Sequence, residues 1–191
     1  MIATFLQAEC DSERWGQAVA DALRRHRTNA GLVTSPVLAD AEENALRRAI
    51  LDEIRGYGPR EGLFSGFPGD VRWQRVRLTR DELAAVRYID YDYWVELSGG
   101  SRRPADAAER IRSGVRVFGV ANDGFLDAAQ ALRTGARWPE LILVSAAAEG
   151  GDVVLEGHVR LTACALAVDA VPAETEALRG VSPRFADWWA Y

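Results

Sequence analysis

The side chains best suited to chemistry gather in Val153-Val154-Leu155-Glu156-Gly157-His158-Val159-Arg160-Leu161-Thr162-Ala163. A short apolar strand runs into a Gly-x-x-Arg turn that opens a helix, so Glu156, His158, Arg160 and Thr162 crowd one turn. A helix start presents amide N–H groups with no intrahelical acceptor and a partial positive charge, which suits an anion such as phosphate. In that setting Glu156 orients or deprotonates an acceptor, and His158 bonds to phosphate or acceptor. Gly157, Arg160 and Thr162 then hold phosphate oxygens with the helix start. Read alone, the same residues also describe a capped core helix with Arg160 in a surface ion pair.

A second anion candidate lies upstream in Leu97-Ser98-Gly99-Gly100-Ser101-Arg102-Arg103-Pro104. Small residues let backbone N–H groups approach an anion, and guanidinium groups clamp it in a bidentate manner. Ser101, Arg102 and Arg103 are the binding residues this loop offers, with a solvent-exposed loop as the plain alternative.

The elements that must position these residues follow from periodicity. Phe125, Leu126, Ala129 and Leu132 recur at helical spacing after Asp123, and Gly135 supplies a stop. Pro139 introduces the buried strand Leu141-Ile142-Leu143-Val144, and Glu149-Gly150-Gly151-Asp152 turns the chain into the strand carrying Leu155. Upstream, Val71 to Leu78 alternates apolar and polar residues as a half-exposed strand, and Thr79-Arg80-Asp81-Glu82 begins a helix with a capping box.

The order helix, Gly, Pro, strand, glycine hairpin, strand, Gly-x-x-Arg, helix, over residues 123 to 178, resembles the ParB/sulfiredoxin superfamily. Nucleotide-binding domains of that superfamily carry a G-E-R-R, D-G-H-H-R or G-G-C-H-R turn at this point. No cysteine stands in the turn here, since Cys164 lies on the following helix, so sulfinic acid reduction is not expected. Only a short tail follows the last strand, where partition-type ParB proteins continue into a helix-turn-helix, so centromere binding is not expected either. The turn is most similar to that of the D-G-H-H-R members, which include free serine kinases whose acidic motif residue takes part in phosphoryl transfer. Glu156 stands in for that aspartate, and Val159 replaces the second histidine. The resemblance also implies an arginine-bearing loop upstream of the hairpin, with Arg102 or Arg103 facing Arg160 across a phosphate.

Composition sets outer limits. The 191 residues are 48% hydrophobic, enough for one full core without staples. A net charge of −5 gives no broad basic face for a nucleic-acid backbone. There is no apolar run of membrane-span length and no signal-type leader at Met1-Ile2-Ala3-Thr4, which points to a cytoplasmic protein. Cys10, Cys164, His26 and His158 cannot assemble zinc-ligand spacing. All 23 basic residues are arginine, which excludes Schiff-base chemistry, a Walker-type P-loop and a kinase-type lysine.

The N-terminal half reads as helical scaffold, with helices from Glu13 to Arg27 and from a capping box at Asp40-Ala41-Glu42-Glu43 through Ile54 to Gly56. The charges at Glu42, Glu43, Arg47 and Arg48 read as a solvated face, with Asn44 and Arg48 a weak reserve site. Residues 55–69 form a glycine-rich loop with aromatic anchors. In the tail, Ser182-Pro183 opens a short helix whose Trp188 and Trp189 close the core or cover a homodimer seam.

The expectation is an α/β (α+β) chain: residues 1–70 a helical extension packed on the core, residues 71–191 a small mixed sheet with flanking helices. The function expected is transfer of the terminal phosphoryl of ATP, or another nucleoside triphosphate with Mg2+, to a small hydroxylated acceptor. A non-catalytic nucleotide-sensing or protein-interaction module of the same fold is the alternative.

Overall fold

A computed structural model describes residues 1–12, 14–57, 62–147 and 151–191. The expected helix start at Glu13, residues 58–61 of the glycine-rich loop and the Glu149-Gly150 part of the hairpin turn lie outside them. The chain divides into two compact units, Met1–Phe67 and Pro68–Tyr191.

The first unit is helical: α1 (Ile2–Cys10), α2 (Gly16–Arg25), α3 (Gly31–Thr34) and α4 (Ala41–Arg55). The first of these was not anticipated; its Phe5 and Leu6 are fully buried. Asp40 caps α4 by accepting from the Glu42 and Glu43 amides. The reciprocal half of the expected capping box is replaced, because the Glu43 carboxylate accepts instead from the Val37 amide and from Arg47. Arg47 corrects the reading of this face as solvated. Only 1% exposed, it donates to the carbonyls of Leu32 and Val37 and to Glu43 and Asn44 at 2.8–3.0 Å. A buried guanidinium is tolerated because its donors are satisfied. The reserve pair is thereby resolved: Asn44 belongs to Arg47, while Arg48 lies over the Tyr57 ring.

The second unit is a mixed α/β layer structure. It comprises β1 (Arg72–Thr79), α5 (Arg80–Ala85), β2 (Arg87–Tyr88), α6 (Asp92–Leu97), α7 (Pro104–Arg112), α8 (Asp123–Arg133), β3 (Leu141–Ser145), β4 (Val153–Glu156), α9 (His158–Leu166) and β5 (Glu174–Val181). The sheet order is β1-β5-β3-β4-β2. The β1/β5 and β3/β4 pairs are antiparallel, while β3/β5 and β2/β4 are parallel. Every residue of central β3 is buried, as its unbroken apolar run requires. The capping box at Thr79 and Glu82 is present and starts α5.

Helix α9 packs against α7 and α8, burying Leu161, Thr162, Ala163 and Leu166. The short helical turn Pro183–Asp187, capped by Ser182, leads into the aromatic tail. There Trp188 is buried at 3% exposure and Trp189 stands out at 47%, so only one of the expected pair closes the core. The Tyr191 hydroxyl fastens the tail by donating to Gly151 O at 2.6 Å and accepting from the Ala146 amide at 3.0 Å.

The switch from β4 to α9 rests on Gly157, whose φ is 105°. A Cβ there would overlap the Leu141 side chain and sit 3.2 Å from Arg160 Nη2. Both the dihedral and the close approach demand glycine. Gly157→Ala is expected to lower the stability of the second unit by about 2 kcal/mol or more, since left-handed strain alone costs about 1–3 kcal/mol. Denaturant unfolding of the two proteins measures it.

Candidate functional site

Tyr88 connects the two candidate regions; the aromatic run 88–94 reads as core aromatics with tethering polar tips, without indicating this link. It ends the two-residue strand β2, is fully buried, and exchanges backbone bonds with the arginine loop. The Tyr88 amide donates to Arg102 O at 2.9 Å, and Arg102 Nε donates to Tyr88 O at 2.8 Å. Its ring crosses to the first turn of α9. The Thr162 hydroxyl donates its one proton to His158 O at 2.7 Å, so the Tyr88 hydroxyl, 2.7 Å from Thr162 Oγ1, must be the donor to Thr162. Burial holds the Tyr88 phenol far above the usual tyrosine range, an effect the Thr162 bond only partly offsets.

Three rings stack beside this relay. Trp94 lies 4.7 Å from the His158 ring at 18° and 4.9 Å from Tyr88 at 29°, with Tyr88 and His158 6.1 Å apart. His158 is thus held by its ring face, and its Nε2 is buried. The aromatic density of residues 88–94 in the sequence signals packing of this kind, but not that a histidine of α9 joins it.

Arg160 is engaged elsewhere. Its Nη1 donates to Pro139 O and to Glu140 O, and its Nη2 to Glu156 Oε1 at 2.7 Å. The ion pair is largely shielded, with side-chain exposures of 13% and 17%. These bonds lock the β4–α9 turn onto the start of β3. Glu156 Oε2 has no partner among the described residues. Gly157 caps α9 through its backbone alone, and no side chain caps this end, leaving the first-turn amides of Val159 and Arg160 open.

The arginine loop is tightly bonded rather than loose. Ser98 Oγ accepts from the Arg102 amide at 2.8 Å, Ser101 Oγ accepts from the Arg103 amide at 3.1 Å, and Gly99, Gly100 and Arg102 all have positive φ. Arg103 is exposed and precedes Pro104 at the start of α7. Arg102 Nη2 is enclosed and has no hydrogen-bond partner among the described residues. Burial lowers the pKa of this guanidinium, Asp90 opposes that shift, and Arg87 adds to it. The guanidinium groups of Arg102 and Arg160 share no partner: one is held by Tyr88, the other by Pro139, Glu140 and Glu156.

The middle and C-terminal part of α9 lines a small apolar groove of about 100 Å3 with Leu83, Pro104 and Val171. Cys164 opens onto it, and burial pushes its thiol up to about 11, which favours the protonated thiol at neutral pH. No group of three or more metal-ligating side chains occurs among the described residues, and no described helix is long and apolar enough to cross a membrane. No family model, curated protein or solved structure matches the chain.

Tyr88→Phe tests the relay. Losing the hydroxyl is expected to cost about 0.5–1.5 kcal/mol at neutral pH. In the unfolded chain this phenol ionises near pH 10, whereas folding keeps it protonated to higher pH. Its stabilising contribution is therefore complete below about pH 10 and lost as the pH rises through the folded value. The alkaline limb of the wild-type stability curve should flatten in Tyr88→Phe, measured by urea unfolding between pH 8 and 11.

Proposed function

We propose that the second unit is a nucleotide-binding module that holds phosphate with Arg102 and the open amides at the start of α9. The observation that carries this reading is Arg102 Nη2, enclosed with no acceptor among the described residues. A charged donor left unpaired away from water costs free energy, and a bound anion removes the cost. The loop that holds it is fixed by Ser98, by Tyr88 and by its left-handed residues, so the donor is preorganised. The resemblance of the 123–178 segment to ParB-like nucleotide binders agrees with this chemistry.

Binding without turnover fits the ionic groups better than catalysis does. Arg160, the expected phosphate ligand, spends its donors on two carbonyls and Glu156, and the Nε2 of His158 is buried. One observation favours the phosphotransferase reading: Glu156 Oε2 has no partner among the described residues, which leaves a carboxylate oxygen available to orient an acceptor hydroxyl. On that reading the nucleotide arrives as its Mg2+ complex and Glu156 orients the small hydroxylated acceptor.

The experiment is thermal stability of the full chain with ATP, CTP, ADP and GTP in Mg2+, since a ligand bound only by the folded state raises Tm. Arg102→Gln should keep the Tyr88 contact and lose about one to two decades of nucleotide affinity, the worth of one charge-assisted bond. Arg160→Ala should lower Tm instead, because it unlocks the turn. No Tm rise with any nucleotide, or equal affinity in wild type and Arg102→Gln, contradicts the reading. Nucleotide-dependent phosphorylation of a hydroxylated acceptor that Glu156→Gln abolishes selects the phosphotransferase.

A further inference from the structure

The loop between α7 and α8 carries a tight turn in the wrong residue for its backbone. The Val120 amide bonds to Val117 O at 2.9 Å across Phe118 and Gly119, whose φ values are 50° and 74°. Positive φ at both central positions of such a turn favours Asn, Asp and Gly, and a bulky aromatic there is a backbone outlier. The ring's one aromatic neighbour among the described residues is Tyr93, at 6.5 Å. The loop is anchored by buried Val117 and by Asn122 Nδ2 donating to Val115 O at 2.7 Å, while the Phe118 ring is 72% exposed. A left-handed residue that also displays an apolar ring to water is unfavourable on two counts in the free protein, and an outlier of this kind calls for a functional account.

What the ring adjoins indicates its use. Phe118 lies 6.5 Å from Tyr93, Tyr93 lies 5.0 Å from Trp94, and Trp94 stacks on His158 at 4.7 Å. A continuous row of rings therefore leads from Phe118 to the first turn of α9, where the phosphate is placed above. Val120 and Leu126, which follow in the same loop and on α8, are also exposed, at 47% and 46%. Phosphate at the helix start leaves the remainder of a nucleotide, a planar heteroaromatic base, to be accommodated. A face of exposed aromatic carbon suits such a base, whatever its identity, because every base has a π-face.

We propose that Phe118 is the base-stacking residue of the nucleotide site, an inference that rests on the nucleotide-binding reading above. Stacking on one ring provides base-tolerant affinity and separates a nucleotide from bare polyphosphate. It accounts for a phenylalanine at a position that glycine fits without strain.

The test is isothermal calorimetry on the full chain with Mg2+ and either ATP, CTP, GTP or inorganic tripolyphosphate, for wild type, Phe118→Ala and Phe118→Tyr. Phe118→Ala should weaken each nucleotide about tenfold and leave tripolyphosphate unchanged, and Phe118→Tyr should restore the nucleotide affinity. Phe118→Gly should match Phe118→Ala in binding while its Tm equals or exceeds that of wild type, because glycine relieves the left-handed strain. Unchanged nucleotide affinity in Phe118→Ala, or equal weakening of nucleotide and tripolyphosphate, overturns the role of Phe118 and leaves the phosphate site standing. Failure of wild type to bind any of the four overturns both.

Discussion

The buried hydroxyl of Tyr88 is the bond on which the second unit's candidate site depends. A phenol removed from water must find an acceptor, and it finds Thr162, which passes its own proton to the carbonyl of His158. Through that relay a two-residue strand sets the azimuth of α9, and through its backbone the same residue seats Arg102. Trp94 packs against both the Tyr88 and the His158 rings. Remove the hydroxyl, and β2 loses its side-chain tie to the first turn of α9, while the backbone bonds between Tyr88 and Arg102 remain.

A second constraint is the Glu156–Arg160 pair. With Arg160 also on the carbonyls of Pro139 and Glu140, the first turn of α9 is tied to the strand before it by groups that read as a phosphate site in the sequence. Shielded ion pairs of this kind mainly fix geometry, because desolvation offsets much of their Coulomb attraction. On the proposed nucleotide-binding reading the labour is divided: Arg160 and Gly157 shape the turn, while the uncapped amides and Arg102 would meet the phosphate.

Local signals made most of the C-terminal unit legible. The apolar run 141–144, the Thr79 capping box and the strand-to-helix switch at Gly157 each report on neighbours a few residues away, and each is found in place. What escaped was set by contacts distant in sequence. Nothing local says that Arg47 of an apparently solvated face is buried on the carbonyls of Leu32 and Val37. Nor does anything local place Tyr88 against Thr162, or turn the guanidinium of Arg160 back toward Pro139. The α1 helix was missed because its apolar residues were weighed only as a leader segment. Phe118 passed unremarked because a left-handed φ has no signature when the residue is neither glycine nor asparagine.

The central claim is that a nucleotide phosphate meets the open start of α9 and Arg102. Amide NMR of the full-length 15N-labelled chain, titrated with ATP and Mg2+, addresses it directly. The account predicts saturable shifts of the Val159 and Arg160 amides and of the Arg102 Nε–H, with one common dissociation constant. Saturable shifts confined to other residues, or none at all, would contradict it.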